Sequence, residues 1–264
     1  MFDSHCHLHD DAVRADADAL VARARAVGVT GFLLAGVHPE GWRHELELAR
    51  RHSGVLVAYG VHPQLVRDGR AAQMVDALAR ALDGELPRPA AIGEIGLDGS
   101  DEHASSLDEQ ERVFMQQLEL ARAHDLPVLL HVLKAHPRAL ELLAEHGVRG
   151  VRGVLHSCSA SADLVQRYVA LGLHVSFAGT VSNGQARRIR AAAASVPLDR
   201  LLVETDAPFQ TPPRLRPARN EPAFLVEIVR AVAQIKGLPE STIAEATTAN
   251  ARRLFGQGSV HVAK

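Results

Sequence analysis

Asp3-Ser4-His5-Cys6-His7-Leu8 ends the first short apolar run of the chain, and its reading decides the fold. A doubly wound open sheet would follow its first strand with a glycine-rich phosphate loop. Two histidines stand there instead, and the carboxyl end of a strand is where a (β/α)8 TIM barrel carries its chemistry. Side chains alternate across a strand, so His5 and His7 share one face while Cys6 is expected to pack on the other. A His-x-His pair of this kind can hold a cation.

Working outward, runs rich in Val, Leu and Ile recur at Met1 to Ser4, Gly31 to Val37, Val55 to Val61 and Ala90 to Gly96, then at Pro127 to Val132, 150–156, His174 to Thr180 and Leu201 to Thr205. Between them, Asp16 to Gly28, Leu107 to Asp125, 138–147 and Ser161 to Gly172 repeat apolar residues every three or four positions, as amphipathic helices do. Strands apolar on both faces belong to parallel sheets covered by helices. Eight such units in 264 residues predict a single (β/α)8 barrel domain over residues 1–264. The proline-rich stretch Pro208 to Pro222 reads as a long loop after strand eight.

Composition is that of a globular chain, with 47% hydrophobic and 23% charged residues. No leader-like segment and no apolar run near the roughly 20 residues of a bilayer span is found, so a cytoplasmic protein without membrane or obligate protein partner is expected. Two cysteines, Cys6 and Cys158, fit a reducing compartment. A formal net charge of -2 gives no global pull on a polyanion, so any nucleic-acid contact must be local. Fifteen histidines stand against three lysines, which makes metal ligation the natural question.

Ligand-type residues gather at the strand ends: His5 and His7 after strand one, Glu94 at four, His131 at five, His156 at six and Asp206 at eight. Imidazole with carboxylate suits zinc, iron, manganese or magnesium. Glu94 is a candidate bridge between two divalent cations, which hydrolytic sites hold about 3.5 to 4 Å apart. A carboxylated lysine is the alternative bridge, and only Lys134 lies near a strand end.

These residues resemble the TatD family of metal-dependent deoxyribonucleases, within the amidohydrolase-type barrels. The matching stretches are Asp3 to Leu8, Gly60-Val61-His62-Pro63, Gly93-Glu94-Ile95-Gly96-Leu97-Asp98, Leu126 to His131, Glu204-Thr205-Asp206-Ala207-Pro208 and Arg219-Asn220-Glu221-Pro222. The resemblance implies two divalent cations on His5, His7, Glu94, His131, His156 and Asp206, and metal-dependent cleavage of DNA, often from the 3′ end. It also implies that His62 touches substrate phosphate and that Arg216 and Arg219 form a basic loop able to grip phosphates. Asp98 and Glu204 are expected to orient ligands from behind. His38, in a second Gly-Val-His-Pro, reads as a turn residue. The chain departs from the family pattern where Gly99 and Ser100 replace a common tyrosine, where Leu133 replaces an arginine, and at Ser157-Cys158-Ser159-Ala160.

Asp206 and Glu94 are thus the expected catalytic residues of a hydrolase acting on ester bonds, with Asp206 taking a proton from the attacking water and DNA as the expected substrate. Hydrolysis of a carboxylic ester, lactone, amide or aminoacyl-tRNA ester is the alternative chemistry. A non-catalytic barrel would be marked by lost ligands, and none of the six is lost.

Overall fold

In a computed structural model, residues 1–67, 69–145 and 152–256 are described. Positions 146–147 of the expected fifth helix, 150–151 of the expected sixth strand and the stretch 257–264 lie outside them. One sheet of eight parallel strands follows the order of the chain: β1 (Phe2–Cys6), β2 (Gly31–Leu34), β3 (Val55–Tyr59), β4 (Ala91–Asp98), β5 (Val128–Leu133), β6 (Gly153–Leu155), β7 (His174–Phe177) and β8 (Leu201–Val203). Helices α1 (Ala17–Ala26), α2 (Trp42–Arg51), α3 (Ala71–Arg80), α4 (Leu107–Ala123), α5 (His136–Glu145), α6 (Ala162–Ala170) and α7 (Arg187–Ser195) connect the strands, and α8 (Leu225–Lys236) and α9 (Glu240–Phe255) follow β8. This is the expected (β/α)8 architecture.

The strands are buried along almost their whole length, because side chains of one parity fill the barrel and those of the other meet the helices. Each helix offers a stripe to them, as α1 does with Leu20, Val21 and Ala24. Boundaries shift from the sequence reading in an instructive way. β1 runs two residues further than expected, so His5 lies within the strand and His7 just past it. β8 stops at Val203, and Glu204 to Asp206 leave it as a polar segment.

That segment closes the barrel. No regular β1–β8 ladder forms among the described residues; the Asp206 N–H donates to the His5 carbonyl at 2.9 Å, and the His7 N–H to the Ala207 carbonyl at 2.7 Å. Buried Asp3 accepts from the Thr205 N–H at 2.9 Å and from its hydroxyl at 2.5 Å. The seam therefore sets Asp206 beside His5 and His7.

β4 is irregular too. Its register against β5 shifts between Ile92 and Ile95, around a cis Gly93–Glu94 peptide. Glu94 is consequently mid-strand rather than at the strand end, re-aimed by the bulge toward the barrel mouth. Gly96, with φ near 140°, allows this: a Cβ there would meet the His131 carbonyl oxygen at 2.0 Å. The stretch from 208 to 222 holds no α-helix or strand, only a 3-10 turn at Pro213–Leu215 before the one at Pro222–Phe224, as the loop reading required.

Candidate metal centre

At the carboxyl mouth, Glu94 is divided between two groups of nitrogen donors. Its Oε2 lies 3.3 Å from His5 Nε2 and 3.6 Å from His7 Nε2, while Asp206 Oδ1 lies 3.7 and 3.3 Å from the same nitrogens, which are 3.1 Å apart. Its Oε1 lies 2.6 Å from His156 Nε2 and 2.8 Å from His131 Nδ1, themselves 3.2 Å apart. Donors about 2.0 to 2.2 Å from one cation stand roughly 3.3 to 3.6 Å from each other in a tetrahedron; the first group, at 3.1 to 3.7 Å, is close to that spacing, while the second, at 2.6 to 3.2 Å, is drawn together at hydrogen-bond distances and matches in donor type. The six expected ligands are brought together in this mouth.

Contacts on the far side of the His7, His156 and His131 rings bear on which nitrogen faces the centre. His7 Nδ1 donates to the Ala35 carbonyl at 3.2 Å, which leaves Nε2 with a lone pair toward the centre. His156 Nδ1 has Glu204 Oε1 at 3.4 Å behind it, and His131 Nε2 has Asp98 Oδ2 at 3.4 Å. Both are charge contacts rather than well-formed hydrogen bonds. Glu204 is itself fixed, accepting the Ser157 N–H at 2.6 Å, and Asp98 accepts from Gln64 Nε2 at 2.7 Å and from the Ser100 N–H at 2.8 Å.

His62 behaves differently. Its Nδ1 accepts from the Gln64 N–H at 3.2 Å, so a neutral ring carries its proton on Nε2. That nitrogen lies 3.2 Å from Glu94 Oε1 and 3.3 Å from His131 Nδ1, which makes it a donor at the edge of the second group.

Electrostatics follow from this crowding. Burial works against charge on Glu94, yet the imidazoles of His156, His62 and His5 hold its carboxyl well below the usual range. Burial likewise opposes charge on Asp206, and His7 and His5 pull it down. His156 goes the other way: against burial, Glu94 and Glu204 push its imidazole well up. His5 is lowered by burial and by His156.

The cavity above these groups has a volume of about 590 Å³. Its lining includes the apolar Leu133, Val181, Ile189 and Phe209, the thiol of Cys158, and the polar Thr180, Ser157 and Gln210. Burial pushes the Cys158 thiol up to about 12, so it stands at the wall as a neutral group. Cys6 points away from the donors, its thiol 3.7 Å from the Leu33 carbonyl. Lys134 is turned outward to Asp101 at 2.9 Å, and His38 Nδ1 accepts from the Glu40 N–H within its turn.

Arg216 and Arg219 are not among the lining residues. Arg216 Nε donates to the Thr211 carbonyl at 3.1 Å, and Arg219 pairs with Asp16 at 3.0 Å and with the Ala12 carbonyl.

With this geometry in hand, comparison with known proteins is direct. The TatD-related DNase family matches residues 2–256. The chain belongs to that family. Over 266 residues it is 37% identical to the 3′-5′ ssDNA/RNA exonuclease TatD of Klebsiella pneumoniae, covering 97% of this chain and 98% of that one. It is 31% identical to the uncharacterized metal-dependent hydrolase YabD of Bacillus subtilis over 97% of this chain and 98% of that one. Among solved structures, YJJV, a TatD homologue from Escherichia coli K12, superposes with a TM-score of 0.87 at 29% identity, covering 97% of each chain. Among the described residues of this TatD-family hydrolase, no helix is long and apolar enough to cross a membrane.

Sequence reasoning missed Gln210. Its side-chain amide donates to Asp206 Oδ2 at 2.6 Å and to Ser157 Oγ at 2.5 Å, and its oxygen accepts from Thr180 Oγ1 at 3.1 Å. Ser157, Asp206 and Gln210 all have positive φ, at 42°, 57° and 53°. One amide thus ties together three left-handed residues at the mouth, the sort of strain that gathers at functional sites. A glutamine in a proline-rich loop carries no spacing signal that would have marked it.

Proposed function

We propose that this protein is a single-domain, metal-dependent phosphodiesterase that trims single-stranded DNA from a free 3′ end. The observation that carries this reading is Glu94, whose two oxygens face separate donor groups, as a carboxylate shared by two cations would. His5, His7 and Asp206 would hold one cation and His131 and His156 the other, with zinc, magnesium or manganese as the candidates. Two such cations would supply Lewis acidity to water and to phosphate oxygens.

The chain's own residues supply the rest. Asp206 turns Oδ1 toward the first donor group while Gln210 holds Oδ2, so the carboxylate is set to orient an attacking water and accept its proton. His62, with its proton on Nε2, donates to a non-bridging phosphate oxygen and follows the charge that develops there. Glu204 and Asp98 stand behind the rings of His156 and His131, as charges that would orient them. Arg216 and Arg219, outside the cavity, would meet only a chain longer than the terminal nucleotides. Two buried free thiols, Cys6 and Cys158, suit the cytoplasmic setting of this reading.

The apolar wall of Leu133, Val181 and Ile189 favours one second reading, hydrolysis of a carboxylic ester. Parallel assays separate the two. Metal content of protein purified without added metal is measured first, and then 3′-labelled single strands, closed circles and a panel of esters are tested with zinc, magnesium or manganese restored. Trimming of open strands with circles left intact supports the proposal; turnover of esters alone overturns it.

A further inference from the structure

Large apolar side chains are hidden almost everywhere in this chain. Among the described residues only Val27, Phe209 and Leu238 stand well exposed, at 44, 50 and 38%. Of these, Phe209 alone lines the cavity. Its ring meets the imidazole of His7 at a centroid distance of 5.7 Å and an angle of 65°, so it borders the first donor group directly.

The backbone that carries this ring is fixed. The Phe209 N–H donates to the Asp206 carbonyl at 2.8 Å, and its own carbonyl accepts from Asn220 Nδ2. Asn220 is fully buried and also donates to the Thr205 carbonyl at 2.7 Å. An aromatic face is thereby held half in solvent by the same segment that places Asp206. Nothing in packing requires that, since the ring gains little burial there.

Charge points the same way. Among the described residues that line the cavity there is no lysine or arginine, whereas Asp10, Glu94 and Asp206 are acidic. No lysine or arginine of the described lining therefore holds a polyanion, and contacts to the uncharged part of the substrate gain weight. A nucleobase has a flat apolar face and adjoins its own phosphate, and stacking on an aromatic ring tolerates any base.

We propose that Phe209 is the stacking platform for the nucleobase next to the scissile phosphate, making the substrate class an unpaired nucleotide end of any sequence. This rests on the nucleic-acid reading above. Stacking of one base contributes on the order of 10- to 100-fold in affinity. The wild type should cut a single strand ending in a natural nucleotide about 10- to 100-fold better, in kcat/KM, than the same strand ending in an abasic residue. Phe209→Ala should bring that ratio close to one, Phe209→Leu should give an intermediate value and Phe209→Trp should restore it. Circular dichroism and metal content accompany each variant. An unchanged ratio in Phe209→Ala overturns the platform.

Binding provides the second arm and does not depend on turnover. Titration of the metal-loaded protein with thymidine monophosphate and with deoxyribose 5-phosphate should show the same preference, lost in Phe209→Ala. If no strand is cut but this preference is found and is lost in the variant, the platform stands and the exonuclease reading fails. Equal affinity of the wild type for both compounds overturns the platform, including the case in which the ring serves only an apolar ester group.

Discussion

The two oxygens of Asp206 have separate partners, and this separation makes its roles testable one at a time. Oδ1 faces His7 Nε2 at 3.3 Å, and Oδ2 accepts from Gln210 at 2.6 Å. Asparagine keeps the size and one oxygen for a cation but lacks a carboxylate's proton affinity. General-base assistance is worth about 10²- to 10⁴-fold, so Asp206→Asn is expected to lose activity on that scale while keeping the fold and at least one metal. Near-normal turnover with full metal content would remove Asp206 from that role. Gln210→Leu keeps the Asp206 carboxylate and removes its orienting donor, together with the amide's links to Ser157 and Thr180. A hydrogen bond to a charged group contributes about 1.5–3 kcal/mol, so kcat should fall roughly 10- to 100-fold with little change in metal content. Cys158→Ser, by contrast, should leave turnover within about twofold, because a neutral thiol at the wall takes no part in proton transfer. The gathering of the six candidate ligands at one mouth was legible because each is a ligand-type residue in or just after a strand, where such residues rarely stand without reason. Gln210 was not, because its role depends on the fold of the loop rather than on its chemistry.

Among the elements, α4 does more than cover the barrel. Gln110 and Gln117 are seven residues apart, two turns, so they lie on one buried face. Gln117 accepts from the Val61 N–H at 2.8 Å and donates to the Val61 carbonyl at 3.1 Å, next to His62. Gln110 does the same for Asp98, at 2.7 and 3.1 Å. One helix thereby clamps the backbone at two site positions. Gln117→Leu would leave both Val61 groups buried without partners, each worth about 1–3 kcal/mol, so a loss of roughly 2–6 kcal/mol in urea unfolding is expected. A change below about 1 kcal/mol would mean that the loop is held by other contacts. The apolar runs revealed the strands because burial on both faces leaves an unmistakable composition. The bulge in β4 left no such trace: it rests on Gly93 and Gly96, and sequence alone does not separate a glycine needed for close approach from one in a plain turn.

Across the whole molecule, the mouth gathers the candidate metal-binding histidines, while the opposite rim holds a buried one with no such neighbours among the described residues. His174 opens β7 at the amino end of the barrel and is 6% exposed. Burial, with the guanidinium groups of Arg200 and Arg253 adding to it, pushes this imidazole down to about 4, against weaker pulls from the Gly153 backbone and Asp199. In the unfolded chain the ring takes its proton near pH 6.5. Between those values the unfolded state binds more protons than the native one, so the native state loses stability as pH falls from about 6.5 to 4 and has lost the full amount below 4. At pH 5 the loss attributable to this ring is about 1–2 kcal/mol. His174→Leu removes the titrating group and suits the buried site. Urea unfolding at pH 7.5 and pH 5 should therefore show a drop that is smaller in the variant by about 1–2 kcal/mol. Acid loss of metal at the mouth is common to both proteins and cancels in the difference. Parallel curves for variant and wild type would mean that His174 carries its proton in the folded state as readily as in the unfolded one, and that acid sensitivity originates elsewhere.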